Sequence, residues 1–484
     1  MKVLLINPSE RNMVGANLPL EVEAIRGANP PISLQYVAAA CQKAGHETAI
    51  IDAALDNLSP AALARRIAEY EPEVVGIGAV SFTMPDALVA ARAAQQAAPR
   101  AAVVFGGIQP FLYPEETIRL PDIDLALIGE GESTMPPLLE TLEAGGDFGD
   151  VPGLVWELDD HVGINPAPPR IEDMDSIPFP ARDLLPIDGY ESLITDRKPV
   201  HILVTSRGCP FRCRFCSRSI TGKRFRAHSP DYVLEEMRLC AGMGIRYLIF
   251  YDEVFSIDRK RTMAICEKLI EARLPIKFLV RATVATVNEE MLRALKAAGC
   301  DMITYGVEAS DPDVLEELGK PYTIDQVKQA FRLTNKVGLP NLAYFMIGNP
   351  GEEERHVHRS ARMAAELKPD MVHVSIFTPY PATDTYEKAL AQGIIRTDYW
   401  RDFARNPTAD FKVPPWPGPI PEPRLHQLLD LFYRKFYLRP SVVLRRLLRS
   451  GGRGLGQDIQ RALVLAPKAS DIGKALRGLI RRRG

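Results

Sequence analysis

Cys209, Cys213 and Cys216 stand in the run C-P-F-R-C-R-F-C, three thiols within eight residues. Thiolates so close along a chain can converge on one soft metal centre, and cysteine is the ligand that iron–sulfur clusters require. Four ligands are the norm, and this run supplies three. A metal site short of one protein ligand keeps a position open for chemistry, as catalytic zinc sites do. Arg207, Arg212, Arg214 and Arg218 crowd the thiols, and positive charge there favours thiolate over thiol. The other four cysteines, Cys41, Cys240, Cys266 and Cys300, fall singly in helical or strand patterns, where cysteine behaves as a small buried apolar residue.

The elements that position this run repeat. From Val200, strand and helix patterns alternate about six times, with strands expected at Val200–Thr205, Tyr247–Tyr251, Lys277–Arg281, Met302–Gly306, Leu342–Ile347 and Met371–Phe377. Right-handed βα units of this length close, fully or partly, into a barrel whose chemistry sits at the carboxyl ends of the strands. The cysteine run falls at the first such end, Asp252-Glu253 at the second, Glu308 near the fourth and Gly348-Asn349-Pro350-Gly351-Glu352 at the fifth. Five histidines, His201, His228, His356, His358 and His373, cannot be ranked as acids or bases from their positions.

Ahead of the barrel, short apolar runs at Lys2–Ile6, Thr48–Ile51, Val74–Gly78, Ala102–Phe105 and Asp124–Ile128 alternate with helical patterns. One helix starts at Ser59-Pro60, where the hydroxyl can cap orphan N–H groups and proline needs none. Such alternation implies a doubly wound parallel sheet, whose ligands bind beyond the carboxyl ends of its strands. Small residues gather there. Val80-Ser81-Phe82-Thr83, Gly106-Gly107-Ile108-Gln109 and Gly129-Glu130-Gly131-Glu132 follow successive strands, and glycine lets backbone approach a flat or phosphate-bearing ligand closely.

A proline-rich linker over 146–198, with a small hairpin at Leu154–Ile164, separates the two blocks. The expected organisation is a first domain at 1–145, the linker, the barrel at 199–413 and a helical, basic region at 414–484. The chain of 484 residues carries a formal charge of −2, but residues 434–484 hold fourteen Lys or Arg against Asp458 and Asp471. Ile472, Ala475, Leu476, Leu479 and Ile480 recur there at helical spacing, an amphipathic pattern suited to packing on its own protein or to peripheral membrane contact. An odd cysteine count of seven, with no secretory leader and no membrane-spanning apolar run, points to the cytosol.

C-x3-C-x2-C with Phe215 before its last cysteine, at the end of the first strand of a partial barrel, resembles the radical S-adenosylmethionine superfamily. Tyr251-Asp252-Glu253, Tyr305-Gly-Val-Glu308-Ala-Ser310 and Phe345-Met-Ile347-Gly348-Asn-Pro-Gly-Glu352 resemble its remaining rim motifs. A doubly wound domain in front, with Pro30-Pro31, Ser81, Gly106-Gly107 and Asp124-Leu-Ala-Leu-Ile-Gly-Glu-Gly-Glu132, is similar to the cobalamin-dependent branch. That branch commonly lacks the histidine cobalt ligand of Asp-x-His-x-x-Gly, and this chain lacks the motif too.

The resemblance implies an α/β fold: a Rossmann-like cobalamin-binding domain, a partial (βα)6 TIM-like barrel and a helical C-terminal region. It implies a 4Fe–4S cluster on Cys209, Cys213 and Cys216. S-adenosylmethionine would contact Phe215, Asp252, Glu253, Glu308, Ile347 and Gly348, with Asp252 or Glu253 on the amine and Glu308 on the ribose. Cobalamin would contact Ser81, Thr83, Gly106, Gly107, Gln109, Gly129, Glu130 and Gly131. The expected activity is methylation of an unactivated carbon of a small-molecule or lipid substrate, fed by ferredoxin or flavodoxin as one-electron donor. The alternatives are oxidative ring closure on a tetrapyrrole and a non-catalytic cobalamin or redox sensor. Methylthiotransferases match less well: their first domain carries three further cysteines, whereas 1–150 holds only Cys41. They also end in a small β-rich RNA-binding domain where this tail reads helical, so no nucleic-acid partner is expected.

Overall fold

The computed structural model describes residues 1–15, 28–192, 194–217 and 221–439. Arg218 and the amphipathic helix expected around 472–483 lie outside the described residues. Among the described residues no helix is long and apolar enough to cross a membrane.

The first sheet contains β1 (Lys2–Asn7), β2 (Glu47–Asp52), β3 (Val74–Gly78), β4 (Ala102–Gly106) and β5 (Leu125–Leu127), in the spatial order β2-β1-β3-β4-β5, all parallel. Val3 to Ile6 are all buried because helices cover both faces, which is why the strand reads as a continuous apolar run. Helices Ile32–Lys43 and Gly131–Ala144 pack on one face through Leu34, Ala38 and Met135, and Pro60–Tyr70 and Met84–Ala97 on the other through Leu63 and Ala87. The Ser59 cap forms, its hydroxyl accepting from Ala62 N at 3.3 Å.

The hairpin read within the linker belongs to this sheet. β6 (Leu154–Leu158) pairs antiparallel with β5, and β7 (His161–Ile164) continues outward. Segment 384–413, expected within the barrel domain, also returns to the first core: Tyr386, Trp400, Phe403 and Val413 are buried with Ala87, Ala90 and Phe105. Their aromatic area is too large to leave in water, and it is buried beside helix Pro114–Ile118 and Phe82, whose ring lies 5.9 Å from that of Trp400. No local pattern shows this.

The second sheet is a six-stranded parallel half-barrel. β8 (Val200–Leu203) is joined by β11 (Tyr247–Phe250), β12 (Lys277–Ala282), β13 (Cys300–Glu308), β14 (Asn341–Ile347) and β15 (Met371–Ile376), in that order. Between β8 and β11 a short antiparallel pair, β9 (Ser206–Arg207) and β10 (Arg226–Ala227), brackets the cysteine run. Helix Glu422–Tyr437 closes the open side. Tyr433 Oη donates to Val374 O at 3.0 Å and accepts from Val374 N at 2.9 Å, and Tyr437 repeats this on Val372 at 2.9 and 3.1 Å. The two phenols thus satisfy the edge of β15, which would otherwise stand unpaired.

Candidate functional site

The carboxyl ends of both sheets face one cavity of about 500 Å3. From the first sheet it is walled by Gly78, Gly106, Gly107, Gly129 and Gly131, and from the barrel by Val204, Ser206, Arg207, Tyr251, Glu253 and Arg281. The first sheet reverses its winding between β1 and β3, and Leu5 and Ile77 of those strands line the wall, where a doubly wound sheet binds its ligand. A Cβ on Gly106 would meet nothing within 4 Å, so this wall is open to a broad ligand. Gly107 has φ +114 and its Cβ would lie 2.8 Å from Ala79 O, so the turn demands glycine. A large cofactor with an extended apolar face fits this wall.

Other residues expected to contact cobalamin stand elsewhere. Thr83 Oγ1 donates to Val80 O at 3.3 Å, inside its own turn. Ser81 Oγ donates to Gln109 Oε1 at 2.7 Å, both residues buried, and neither lines the cavity. Gln109 Nε2 remains a buried donor with no acceptor among the described residues. Glu130 does line the cavity, but its carboxylate is taken up by Arg226 and Arg207 and by Ile171 N at 2.8 Å.

The cysteine run is partly exposed at Cys209 and Cys213 and exposed at Cys216. Its backbone is pinned at both ends, by Cys209 N to Gly222 O at 3.2 Å and by Arg214 N to Leu318 O at 2.9 Å. The remaining thiols contrast sharply: burial pushes Cys41 and Cys266 up to about 12, Cys240 up to about 11 and Cys300 higher still. Such groups resist becoming thiolate ligands. Among the described residues no three His, Cys, Asp or Glu side chains are gathered closely enough to hold a metal ion. The cluster assignment therefore stands on the donor set and its accessible loop, which suit an iron–sulfur centre.

The expected arginine crowd around the thiols is largely spent elsewhere. Arg207 pairs with Glu130 and Glu132 and stacks over Tyr36, while Arg214 holds Glu317 at 3.3 Å. The cation at the loop is Lys320, which the sequence reading missed. Its ammonium lies 5.0 Å from the Phe215 ring centre, pairs with Glu308 at 2.6 Å and feels the charge of Cys213. Burial works against that charge, but the Glu308 carboxylate outweighs it and holds Lys320 above its ordinary value. Lys320 follows a Gly in an exposed-looking Gly-Lys-Pro turn, so nothing in its neighbours marks it.

Glu308 itself sits at φ +61, at an irregularity where β13 shifts register against β14. Strain of this kind persists only where the surroundings impose it. A Cβ on Gly306 would collide with Glu308 Oε1, so that glycine makes room for the carboxylate. At the fifth strand, Ile347 is fully buried in the barrel core and Gly348, at φ +77, packs against Leu425. Neither lines the cavity, and nor do Phe215 and Glu308.

Asp252 also departs from its expected role. It is fully buried and accepts from Thr205 N at 2.7 Å, Thr205 Oγ1 at 2.6 Å and Ser206 Oγ at 2.7 Å. Those bonds tie the end of β11 to the segment after β8, leaving Glu253 as the acidic residue of this pair that lines the cavity.

The Radical SAM superfamily profile matches residues 203–364, and the B12 binding domain profile matches residues 22–139. The chain is 30% identical over 397 residues to an anaerobic magnesium-protoporphyrin IX monomethyl ester cyclase of Rubrivivax gelatinosus, covering 80% of this chain and 70% of that one. Its fold is shared with the radical S-adenosylmethionine methyltransferase TsrM of Kitasatospora setae, solved with cobalamin and a 4Fe–4S cluster bound. There the TM-score is 0.67 at 21% identity, over 82% of this chain and 79% of that one. The cobalamin-dependent S-adenosylmethionine radical enzyme OxsB aligns with a TM-score of 0.61 at 20% identity, over 81% of this chain and 55% of that one. Over 456 residues the chain is 33% identical to an uncharacterized methyltransferase of Pyrococcus horikoshii, covering 93% of this chain and 96% of the relative. Likeness of that extent runs through both blocks and the junction between them, and the chain belongs to the cobalamin-binding branch of the radical S-adenosylmethionine enzymes, with a 4Fe–4S cluster, S-adenosylmethionine and cobalamin as its cofactors.

Proposed function

We propose that this enzyme transfers a methyl group to an unactivated carbon of a small-molecule or lipid substrate held in the barrel lumen. One observation supports it above the others: a single cavity is walled by the glycine strand ends of the first sheet and by Tyr251, Glu253 and Arg281 of the barrel. When bound, the cofactors supply an electron, a 5′-deoxyadenosyl radical that takes hydrogen from the substrate, and a methyl group.

In this reading residues 1–145 carry cobalamin and 199–413 carry the cluster and S-adenosylmethionine. Cys209, Cys213 and Cys216 hold three irons, leaving the fourth to S-adenosylmethionine. Glu253 takes the cationic amine, since an ionised carboxylate is its natural partner. Glu308 takes the ribose hydroxyls, and Lys320 holds its carboxylate in place. Phe215 packs between Lys320 and Phe377 and steadies the loop. Gly106, Gly107, Gly129 and Gly131 let a flat macrocycle lie against the sheet edge, and the apolar walls keep water from a reactive centre. An external one-electron donor, ferredoxin or flavodoxin, completes the cycle in the reducing cytosol.

The experiment is an anaerobic incubation of reconstituted enzyme with cell extract, cobalamin, reductant and S-adenosylmethionine labelled in its methyl group. S-adenosylhomocysteine should appear alongside 5′-deoxyadenosine, with label in a product. 5′-Deoxyadenosine without S-adenosylhomocysteine would instead favour ring closure, the second reading, which the identity of 30% to a cyclase supports. An intact cluster with no cleavage at all would favour a sensor.

A further inference from the structure

The lumen of the half-barrel is built in layers. Val200, Tyr247, Ile249, Leu279, Met302 and Leu342 form an apolar floor. Strand side chains alternate faces, so the residue two positions further along each strand stands one layer nearer the carboxyl ends. On β11 to β15 that layer contains Tyr251, Arg281, Thr304, Tyr344 and His373, with Ile202 on β8. Its polar character is abrupt, and it adjoins the cavity through Tyr251 and Arg281.

Five charged residues line the cavity: Glu130, Glu132, Arg207, Glu253 and Arg281. The first three are paired with one another or with Arg226. Among the described residues Arg281 forms no ion pair; its guanidinium lies 4.0 Å over the Tyr251 ring. A half-buried guanidinium without a carboxylate is costly to keep, and its fork of N–H groups matches a planar or tetrahedral oxyanion. The rest of the layer presents donors too. Burial raises Tyr344 while the neighbouring Arg281 opposes that rise, so the phenol keeps its proton. Burial lowers His373 to about 4, leaving its ring, 5.4 Å from that of Tyr344, neutral. The carboxylate that acts on Tyr344, Glu308, is already neutralised by Lys320, and Glu253, which also lines the cavity, forms no ion pair with Arg281 among the described residues.

We infer that this layer is a subsite for an oxyanion carried by the substrate, a carboxylate or a phosphoryl group, with Arg281 as its two-point partner and Tyr344 as a further donor. Calling the ligand the substrate rests on the methyl-transfer reading above; the existence of the subsite does not. Tyr251 is a positioning residue, fixing the guanidinium from below by its ring face.

Equilibrium dialysis tests this without turnover, so its failure and that of methyl transfer are separate results. Holoenzyme reconstituted with iron, sulfide, cobalamin and S-adenosylmethionine is titrated with labelled pyrophosphate and, separately, with labelled succinate. Saturable binding of one or both is expected, and which one binds tells phosphoryl from carboxylate. Arg281→Gln should weaken it at least tenfold and Arg281→Lys should restore part of the loss, while the affinity for S-adenosylmethionine changes less than twofold. Should Arg281→Gln lose iron or cobalamin, Tyr344→Phe serves instead, with an expected weakening of threefold or more. Absence of saturable binding, unchanged binding in the variant used, or an equal loss of S-adenosylmethionine affinity overturns the inference. That last result would assign Arg281 to the cofactor's own carboxylate.

Discussion

Arg226 grips Glu130 at two points, Nη2 on Oε1 at 2.8 Å and Nη1 on Oε2 at 2.9 Å. Arg207 shares Oε1 at 3.1 Å; Glu130 and Arg226 are buried, and Arg207 is partly buried. Glu130 follows the last parallel strand of the first sheet, whereas the arginines stand on the two strands that bracket the cysteine run. The triad therefore ties the first sheet to the strands around the cysteine run. Glu130→Gln strands the buried Arg226, while Arg207 keeps Glu132, and should cost about 3–5 kcal/mol, read as a lower urea midpoint. The pH dependence has a definite sign. Burial raises the Glu130 carboxyl, but Arg226 and Arg207 outweigh it and hold it below its ordinary value. The stabilisation is then complete above the ordinary carboxylate range and lost as pH falls through the folded value, so protein and variant should converge in acid. A gap that stays constant down to the lowest accessible pH would show that the charge is not its source.

Replacing Cys213 by alanine should abolish most of the 4Fe–4S absorbance and bound iron after anaerobic reconstitution. Cys300→Ala should leave iron unchanged and cost on the order of 1 kcal/mol, since it only empties part of a packed core. Full iron in Cys213→Ala would remove that residue from the ligand set.

Gly306→Ala places a methyl group against Glu308 Oε1 and must displace the carboxylate from Lys320. A charged hydrogen bond is worth roughly 1.5–3 kcal/mol, so the KM for S-adenosylmethionine should rise on the order of tenfold or more. Asp252→Asn should behave differently, lowering the denaturation midpoint with a smaller effect on KM, because its partners are Thr205 and Ser206. Equal effects from the two variants on KM would return Asp252 to the cofactor site.

Tyr433→Phe removes both hydrogen bonds on Val374 and leaves a buried peptide group unsatisfied at the edge of β15. The expected cost is about 1–3 kcal/mol, measured by chemical denaturation, with iron and cobalamin content unaltered. A variant as stable as the parent would mean that water or a backbone shift satisfies Val374.

Much of the fold was legible because it depends on near neighbours. Every parallel strand expected in both blocks is present, with ends displaced by two residues at most, since apolar runs and caps act within a few residues. The short pair β9 and β10 escaped notice, being two residues long on each side. The first sheet's annexation of the hairpin and of 384–413 escaped notice for another reason: both are decided by which apolar face lies open in three dimensions.

The site divides along the same line. The sequence by itself determined the thiol run, the glycine strand ends and the acidic rim, because each is a local spacing whose chemistry follows from the residue types. Only the tertiary structure decided that Asp252 is consumed by Thr205 and Ser206, that Lys320 stands beside Cys213, that Glu130 clamps two arginines, and that Arg281 faces the lumen without a carboxylate. These are contacts between residues distant in the chain, made or denied by burial. A charged residue's partner is chosen by whatever the fold brings within reach of it, and spacing along the chain carries no record of that.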